Sequence, residues 1–227
     1  MPSTRTLGGA LIVLGLGIGA LVPIFLVAYP AAGIAPSDAT NPHVVLPVVN
    51  STPALFMGPA AFEIVVHAVG AFALLGLWAR FGATSFLLAL ATLGGLIWMT
   101  IDVANNAVTF HVLPLIGADY AAGSAAASAA FGQLSTLTDA IRLAGHFSGG
   151  LWMIGVSIFA IQTARRPAVI GWFGIAFGAV FAANLFVPAL LNVSFMTVPI
   201  WLVVLGIGVA RTRGTSEAEL VPRMAAA

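Results

Sequence analysis

STLTDAIRLAGHFSGGLWMIGVSIFAI, residues 135–161, is the stretch that decides how this chain folds. Its second half is a continuous apolar run typical of a membrane-spanning helix, whereas its first half carries Asp139, Arg142 and His146. An ionisable side chain at bilayer depth costs from about 3 to more than 10 kcal/mol, so such residues usually mark a functional site. Spacings of three and four residues place all three on one helix face. The stretch therefore predicts a membrane helix that carries a buried polar site.

The composition of the whole chain agrees with a membrane protein. Hydrophobic residues make up 60% of the chain and charged residues only 7%, and the mean hydropathy is +1.08. A soluble domain carries about 25% charged residues. The 227 residues have room for six helices of about 20 apolar residues each. We therefore expect an all-α, polytopic membrane bundle in one domain, residues 1–213, with six transmembrane helices over residues 7–29, 54–78, 85–110, 135–161, 168–187 and 194–210.

Charge and residue usage exclude several classes of function. A net charge of +1 provides no basic surface for nucleic acid. The absence of cysteine excludes disulfides, thiolate metal sites and cysteine nucleophiles. The absence of lysine excludes a Schiff base, and with it an ordinary retinal protein.

The first span and the segments between and after the spans have compositions that predict their structure. The first apolar run, residues 7–29, could be a signal peptide, but it is longer than the usual 7 to 15 residues, which favours a retained helix. Residues 30–53 contain five prolines and predict a loop without a helix. Residues 115–134 predict a flexible loop or a weak surface helix. Residues 214–227 predict a disordered cytoplasmic tail, whose LVPR resembles a protease-site remnant.

The arginines predict the orientation in the membrane. Six spans leave only Arg142 within a helix and place the other arginines on one side: Arg5, Arg80, Arg165, Arg166, Arg211, Arg213 and Arg223. By the positive-inside rule this side is cytoplasmic, so both termini are expected there. The bias towards Ala, Gly and Arg suggests a bacterial protein, and hence the bacterial inner (cytoplasmic) membrane.

The remaining polar residues fall at one depth in the predicted bundle. At a rise of about 1.5 Å per residue, they lie in the outer halves of their helices. We therefore expect a polar cavity that faces outwards and is closed towards the cytoplasm by apolar side chains. The cavity is expected to combine Glu63, His67, Asp102, Asp139, Arg142 and His146, with Asn105, Asn106, Asn184 and Trp152 in its walls.

The balance of charges in this cavity suggests acid–base chemistry. A purely structural interpretation is an ion pair between Glu63 and Arg142, with Asp139 or Asp102 as a second partner. However, one arginine can neutralise only one of the three carboxylates. At least one carboxyl group is then expected to keep its proton near neutral pH, which suits proton donation or relay.

Three classes of function remain open at this point. The first is an enzyme that performs acid–base chemistry on a lipophilic substrate, as a cyclase, isomerase or lipid-modifying enzyme. The second is a small-molecule or proton-coupled transporter or binding protein. The third is a haem b protein with His67 and His146 as axial ligands, or a protein that holds a divalent metal with Glu63, His67, Asp102 and His146. In each case the partners are the lipid bilayer and a small molecule.

The C-terminal third carries a resemblance to known proteins. Arg165-Arg166-Pro167, the segment IGWFG at residues 170–174, and VPIW at residues 198–201 before Arg211 are similar to the C-terminal half of small six-helix bacterial membrane proteins grouped as a domain of unknown function. Residues 146–152 resemble that family more loosely. The resemblance covers about residues 140–213 and implies a six-helix bundle in a bacterial inner membrane. It assigns no catalytic residue.

Overall fold

Helices account for nearly all of the regular structure. In the computed structural model, which describes residues 2–81, 85–163 and 168–212, no strand occurs in these ranges. The main helices are α1 (Thr4–Ala20), α2 (Pro42–Ser51), α3 (Ala54–Phe81), α4 (Phe86–Ala121), α5 (Ala127–Gln162), α6 (Ala168–Ala183) and α7 (Leu191–Ala210). After α1 the chain continues through a π-helical segment, Ile24–Ala28, and one short turn of helix, Tyr29–Ala31.

In the part of the chain that the structure describes, five helical stretches are long and apolar enough to cross a membrane: Thr4–Ala31, Ala54–Phe81, Phe86–Ala121, Ala127–Gln162 and Pro188–Ala210. These stretches support a multi-pass membrane bundle. The helix α6 has 16 residues, or about 24 Å, which is shorter than the bilayer core of about 30 Å. The helix α6 ends at Ala183, four residues before the end of the span expected over residues 168–187. A sixth crossing of the membrane therefore stays a prediction.

The six long helices form a closed ring in chain order. Each of α3, α4, α5 and α6 packs on the helix that follows it. The helix α1 closes the ring, because it packs on both α3 and α7. Glycines permit the closest approaches: a Cβ placed on Gly8 would strike the backbone of α7 at Gly206, and a Cβ on Gly150 would strike the backbone of α6 at Gly178. The absence of side chains at these points lets the helix backbones touch.

One end of the ring is filled by apolar side chains. Its buried core includes Leu11, Leu74, Trp98, Trp152, Met153, Trp201 and Leu202. At this end the hydroxyl of Thr4 donates to the carbonyl oxygen of Thr212 at 3.0 Å, and Gly76 packs on Leu7. Three of the arginines used for the topology, Arg5, Arg80 and Arg211, therefore lie at this same end. The other four, and the tail over residues 214–227, lie outside the described residues.

The opposite end carries a second apolar core that the sequence did not predict. The expectation of a loop without a helix over residues 30–53 is wrong for α2, whose Val45, Leu46 and Val49 are buried against Leu113 and Ile116 of α4. Pro42 does not prevent this helix because it lies in the first turn, where its missing N–H needs no partner.

The helices α4 and α5 also extend further than their predicted spans. The 36 residues of α4 reach about 54 Å, well beyond the bilayer core. Residues 115–134 are consequently helical except for the turn at residues 122–126, which contains Gly123 with a positive φ of 82°. Of the two alternatives for this segment, the flexible loop is wrong; the segment is helical, with Ile116 and Phe131 buried in the second core. Together with α2, these extensions form a cap over the open end of the ring.

Candidate functional site

A cavity of about 170 Å³, which we call the inner chamber, lies inside the ring between the apolar core and the cap. Most of the polar residues expected from the sequence line it: Glu63, His67, Asp102, Asn105, Asn106, Arg142 and His146. They come from α3, α4 and α5, three successive helices of the ring. Trp98 and Phe181 lie at the base of the chamber, where the apolar core begins.

The geometry of His67 defines where its hydrogens lie. Its Nδ1 is 2.8 Å from the backbone carbonyl oxygen of Glu63, one turn earlier in α3. Since a carbonyl oxygen can only accept, Nδ1 must carry a hydrogen. The other ring nitrogen, Nε2, is 3.1 Å from Oδ2 of Asp102 in α4. That contact needs one proton between the two atoms, held by either the imidazole or the carboxyl group, so His67 and Asp102 form a pair with no net charge.

Asp102 is fixed by a second donor on the same oxygen. The indole N–H of Trp98, one turn earlier on α4, donates to Oδ2 of Asp102 at 2.6 Å. The other oxygen, Oδ1, is buried without a hydrogen-bond partner and lies against Gly145, the neighbour of His146. Asp102 is thus held on one side and uncommitted on the side that faces α5.

Glu63 has a different environment. The side-chain amide of Asn106 donates to its Oε2 at 2.7 Å and also to the backbone oxygen of Asp102 at 2.9 Å. Asn106 thereby links α3 to α4. Neither of the two ion pairs among the described residues includes Glu63, so the purely structural ion pair between Glu63 and Arg142 does not form.

Arg142 instead binds Asp139 on its own helix. Its Nη2 donates to Oδ1 of Asp139, three residues earlier. His146, four residues further along α5, does not join this pair, and its Nδ1 is buried without a partner among the described residues. The imidazole of His146 packs on the ring of Phe181 with a centroid distance of 4.6 Å.

A second, larger cavity adjoins the inner chamber beneath the cap. We call it the outer chamber; its volume is about 580 Å³ and its lining is mainly apolar. Asp139 lines the outer chamber and not the inner one. The two cavities share a set of wall residues, which we call the neck: Phe25, Tyr29, Phe56, Thr109, Thr138, Arg142, Leu191 and Phe195. Arg142 is the one charged residue among them.

Two of the expected wall residues do not line the inner chamber. Asn184 is completely buried, and its amide donates to the hydroxyl of Ser194, which is itself in the chamber wall. Trp152 lies in the apolar core, with its ring 6.1 Å from that of Trp98. Asn184 therefore reaches the chamber only through Ser194, and Trp152 belongs to the apolar core instead of the chamber wall.

The residues present do not fit the proposed metal or haem ligand sets. Among the residues that the structure describes, no three His, Asp or Glu side chains are grouped as metal ligands. Both nitrogens of His67 are engaged, Nδ1 with the Glu63 carbonyl and Nε2 with Asp102. A metal ligand needs a free imidazole lone pair. The bis-histidine haem site and the site of Glu63, His67, Asp102 and His146 are therefore not supported by this geometry.

Two important residues of the site were missed from the sequence. Trp98 is absent from the expected site, yet its spacing of four residues from Asp102 brings the two side chains together on one helix face and is a signal for the contact. Tyr29 stacks on Phe56 in the neck, with a centroid distance of 5.2 Å. Nothing in the local sequence indicated its place, because the π-helical segment before it changes the direction in which it points.

No family model, curated protein or solved structure matches this chain. The resemblance of residues 140–213 to six-helix bacterial proteins therefore stays a prediction. The two chambers and their residues are therefore the basis for assigning a function.

Proposed function

We propose that this protein is an intramembrane enzyme that performs acid–base chemistry on a lipophilic substrate, as an isomerase or cyclase. One observation carries the proposal: the His67–Asp102 pair, with its shared proton, lies beside Glu63 in a polar chamber that adjoins an apolar one. A site of this kind combines a store of protons with a cavity for a molecule that dissolves in lipid.

Each polar group has a role in this proposal. Glu63, in its protonated form, donates a proton to one carbon of the substrate, and His146 removes a proton from another carbon. The His67–Asp102 pair lies between them, because it bonds to the Glu63 backbone on one side and lies against Gly145 on the other. The uncommitted Oδ1 of Asp102, on the side of α5, takes up the proton that His146 has removed, and exchange with water in the chamber restores the proton on the carboxyl group of Glu63. The substrate gains one proton and loses one, so the reaction needs no second reactant.

The chamber volumes favour a particular placement of the substrate. Binding sites for drug-sized molecules usually measure about 300 to 1,000 Å³. The outer chamber falls in this range, whereas the inner chamber, at about 170 Å³, is smaller. The apolar body of the substrate is therefore placed in the outer chamber, and only its reacting part enters the inner one.

Transport is the weaker alternative. The half of the ring below the inner chamber is filled by the buried side chains of Trp98, Trp152, Met153, Trp201 and Leu202. A transported molecule would have to displace this core. The proposal includes a bacterial inner membrane, both termini in the cytoplasm and the chambers towards the outer face, as the arginines predict.

Solvent deuterium tests the proposal without knowledge of the substrate. The purified protein is incubated in D₂O with a total lipid extract of the cells that express it, and the lipids are analysed by mass spectrometry. Proton addition and removal incorporate deuterium into the substrate and its product. We expect labelling of one lipid class by the wild type, and a loss of about 100-fold or more in Glu63→Gln and His146→Gln.

Asp119→Asn is the matched control, since Asp119 is an exposed carboxylate near the end of α4 and lies outside both chambers. It should label lipids as the wild type does. Equal labelling by the wild type and Glu63→Gln would overturn the acid–base assignment, as would the absence of any labelled lipid.

A further inference from the structure

The guanidinium group of Arg142 is largely uncommitted. Arginine has five N–H donors. The hydrogen bond from Nη2 to Asp139 is the one that the described residues provide, and Nε is buried without a partner. The side chain is 33% exposed and borders both chambers. A charged group with this many free donors, in the neck between two cavities, is suited to bind an anion.

Asp139 is a weakly held partner. Its side chain is 48% exposed and lines the outer chamber, so it has room to turn away from Arg142. Exposed ion pairs three residues apart on one helix contribute less than about 1 kcal/mol. An anion that enters the neck can therefore replace Asp139 at Arg142.

The other charged groups that face this position do not oppose an anion. The His67–Asp102 pair has no net charge, because the two residues share one proton. Glu63 is neutral in the protonated form that the proposed function requires, and its Oε2 is occupied by Asn106. Once Asp139 is displaced, Arg142 has no counter-charge other than the incoming anion.

The outer chamber determines what is attached to the anion. Its walls carry the apolar side chains of Val22, Leu26, Leu113, Phe131, Phe195 and Met196. These side chains offer no hydrogen bonds and favour a hydrocarbon chain. A carboxylate or a phosphate matches the planar fork of a guanidinium group.

We infer that Arg142 binds the carboxylate or phosphate headgroup of an amphiphile whose tail fills the outer chamber, and that Asp139 is a stand-in counter-ion which this headgroup displaces. The inference names the substrate class of the proposed enzyme, and it rests on that function for the term substrate and for the neutral form of Glu63. The binding itself can be measured without turnover.

Calorimetric titration of the full-length protein in nanodiscs of neutral lipid tests the inference. The probes share one tail and differ in their headgroup: oleate, oleyl phosphate, oleyl alcohol and oleylamine. Acetate and inorganic phosphate provide the headgroup alone. We expect oleate or oleyl phosphate to bind at least about tenfold more tightly than oleyl alcohol, as for a hydrogen bond to a charged group, and the free anions to bind too weakly to detect. Tighter binding of oleylamine, equal binding of oleyl alcohol, or binding of free anions with equal affinity would overturn the inference.

Two variants give opposite results if the inference is correct. Arg142→Gln should abolish the preference for anions, whereas Arg80→Gln, at the apolar end of the ring, should keep it. Asp139→Asn should strengthen anion binding several-fold, because it removes the competing carboxylate. If Asp139 instead holds Arg142 in place, Asp139→Asn will weaken binding, which contradicts the inference. The stronger binding expected for Asp139→Asn tests the inference even if Arg142→Gln does not fold.

The two proposals fail separately. Anion binding that depends on Arg142, without any deuterium labelling, would support the headgroup site and refute the proposed enzyme activity. Deuterium labelling of a neutral lipid, unaffected by Arg142→Gln, would leave the enzyme and refute the headgroup site.

Discussion

Nε2 of His67 lies 3.1 Å from Oδ2 of Asp102, although the two residues belong to different helices. The opposite nitrogen of His67 is committed to the Glu63 carbonyl oxygen, and Oδ2 also accepts from Trp98. The contact therefore depends on one proton with two acceptable positions. Substitutions of His67 and Asp102, and NMR of the His67 ring, therefore test the position of this proton.

Asp102→Asn should remove the mobile proton at a moderate cost in stability. Trp98 and His67 both contact Oδ2, so the asparagine can keep only one of these contacts: its oxygen accepts from Trp98, or its amide donates to Nε2 of His67. The amide cannot transfer a proton, so we expect the rate of deuterium incorporation to fall by about 100-fold or more, while the loss of one hydrogen bond lowers the free energy of unfolding by about 1 to 3 kcal/mol. A variant that unfolds at a much lower temperature would indicate a structural role instead.

The hydrogen on Nδ1 of His67 can be observed directly. Because Nδ1 donates to a carbonyl oxygen, it should carry its hydrogen in both charge states of the ring. The ¹⁵N NMR spectrum of histidine-labelled protein should contain this Nδ1–H signal. The signal should vanish in His67→Gln and persist in His111→Gln, which changes an exposed histidine of α4. An unprotonated Nδ1 assigned to His67 would contradict the pair.

The two buried histidines should differ in what they contribute to stability. His67→Leu removes the partner of Asp102 and leaves a buried carboxyl group unpaired, which typically costs about 3 to 5 kcal/mol. His146→Leu removes a ring whose Nδ1 has no partner, so its cost should stay within about 1 kcal/mol. Thermal unfolding in detergent, followed by circular dichroism, compares the two. Equal destabilisation would show that His146 has a partner of similar strength.

Two glycines of α5 should respond to alanine with opposite sign. A Cβ on Gly132 meets no atom within 4 Å, so Gly132→Ala should stabilise the helix by up to about 1 kcal/mol. A Cβ on Gly150 would strike the backbone of α6 at Gly178 and Ala182, so Gly150→Ala should destabilise by about 1 to 3 kcal/mol. The same unfolding experiment measures both. A neutral Gly150→Ala would mean that α5 and α6 can separate without cost.

The class of fold was predictable from the sequence because it depends on the hydrophobicity summed over each local segment. Apolar runs of sufficient length predict membrane helices wherever they occur, and five such stretches are present. The common depth of Glu63, His67 and His146 was also predictable, since the rise along a helix is regular. The sequence thus determined that the polar residues share one layer of the bundle.

Tertiary structure alone decided which of these residues meet. Depth does not specify the rotation of a helix about its own axis, and that rotation follows from the contacts between helices, such as Gly150 on α6. It turns the side chain of Asn184 towards Ser194 and pairs Glu63 with Asn106 instead of Arg142. The Arg142–Asp139 pair, in contrast, follows from a spacing of three residues on one helix.

The cap was hidden from the sequence for a related reason. The helix α2 is short and contains Pro47, and it is stabilised by packing on α4 more than by its own residues. The outer chamber exists because this cap covers the open end of the ring. The sequence by itself therefore determined a membrane bundle with a polar layer, whereas the packing of distant segments divided that layer into an inner and an outer chamber.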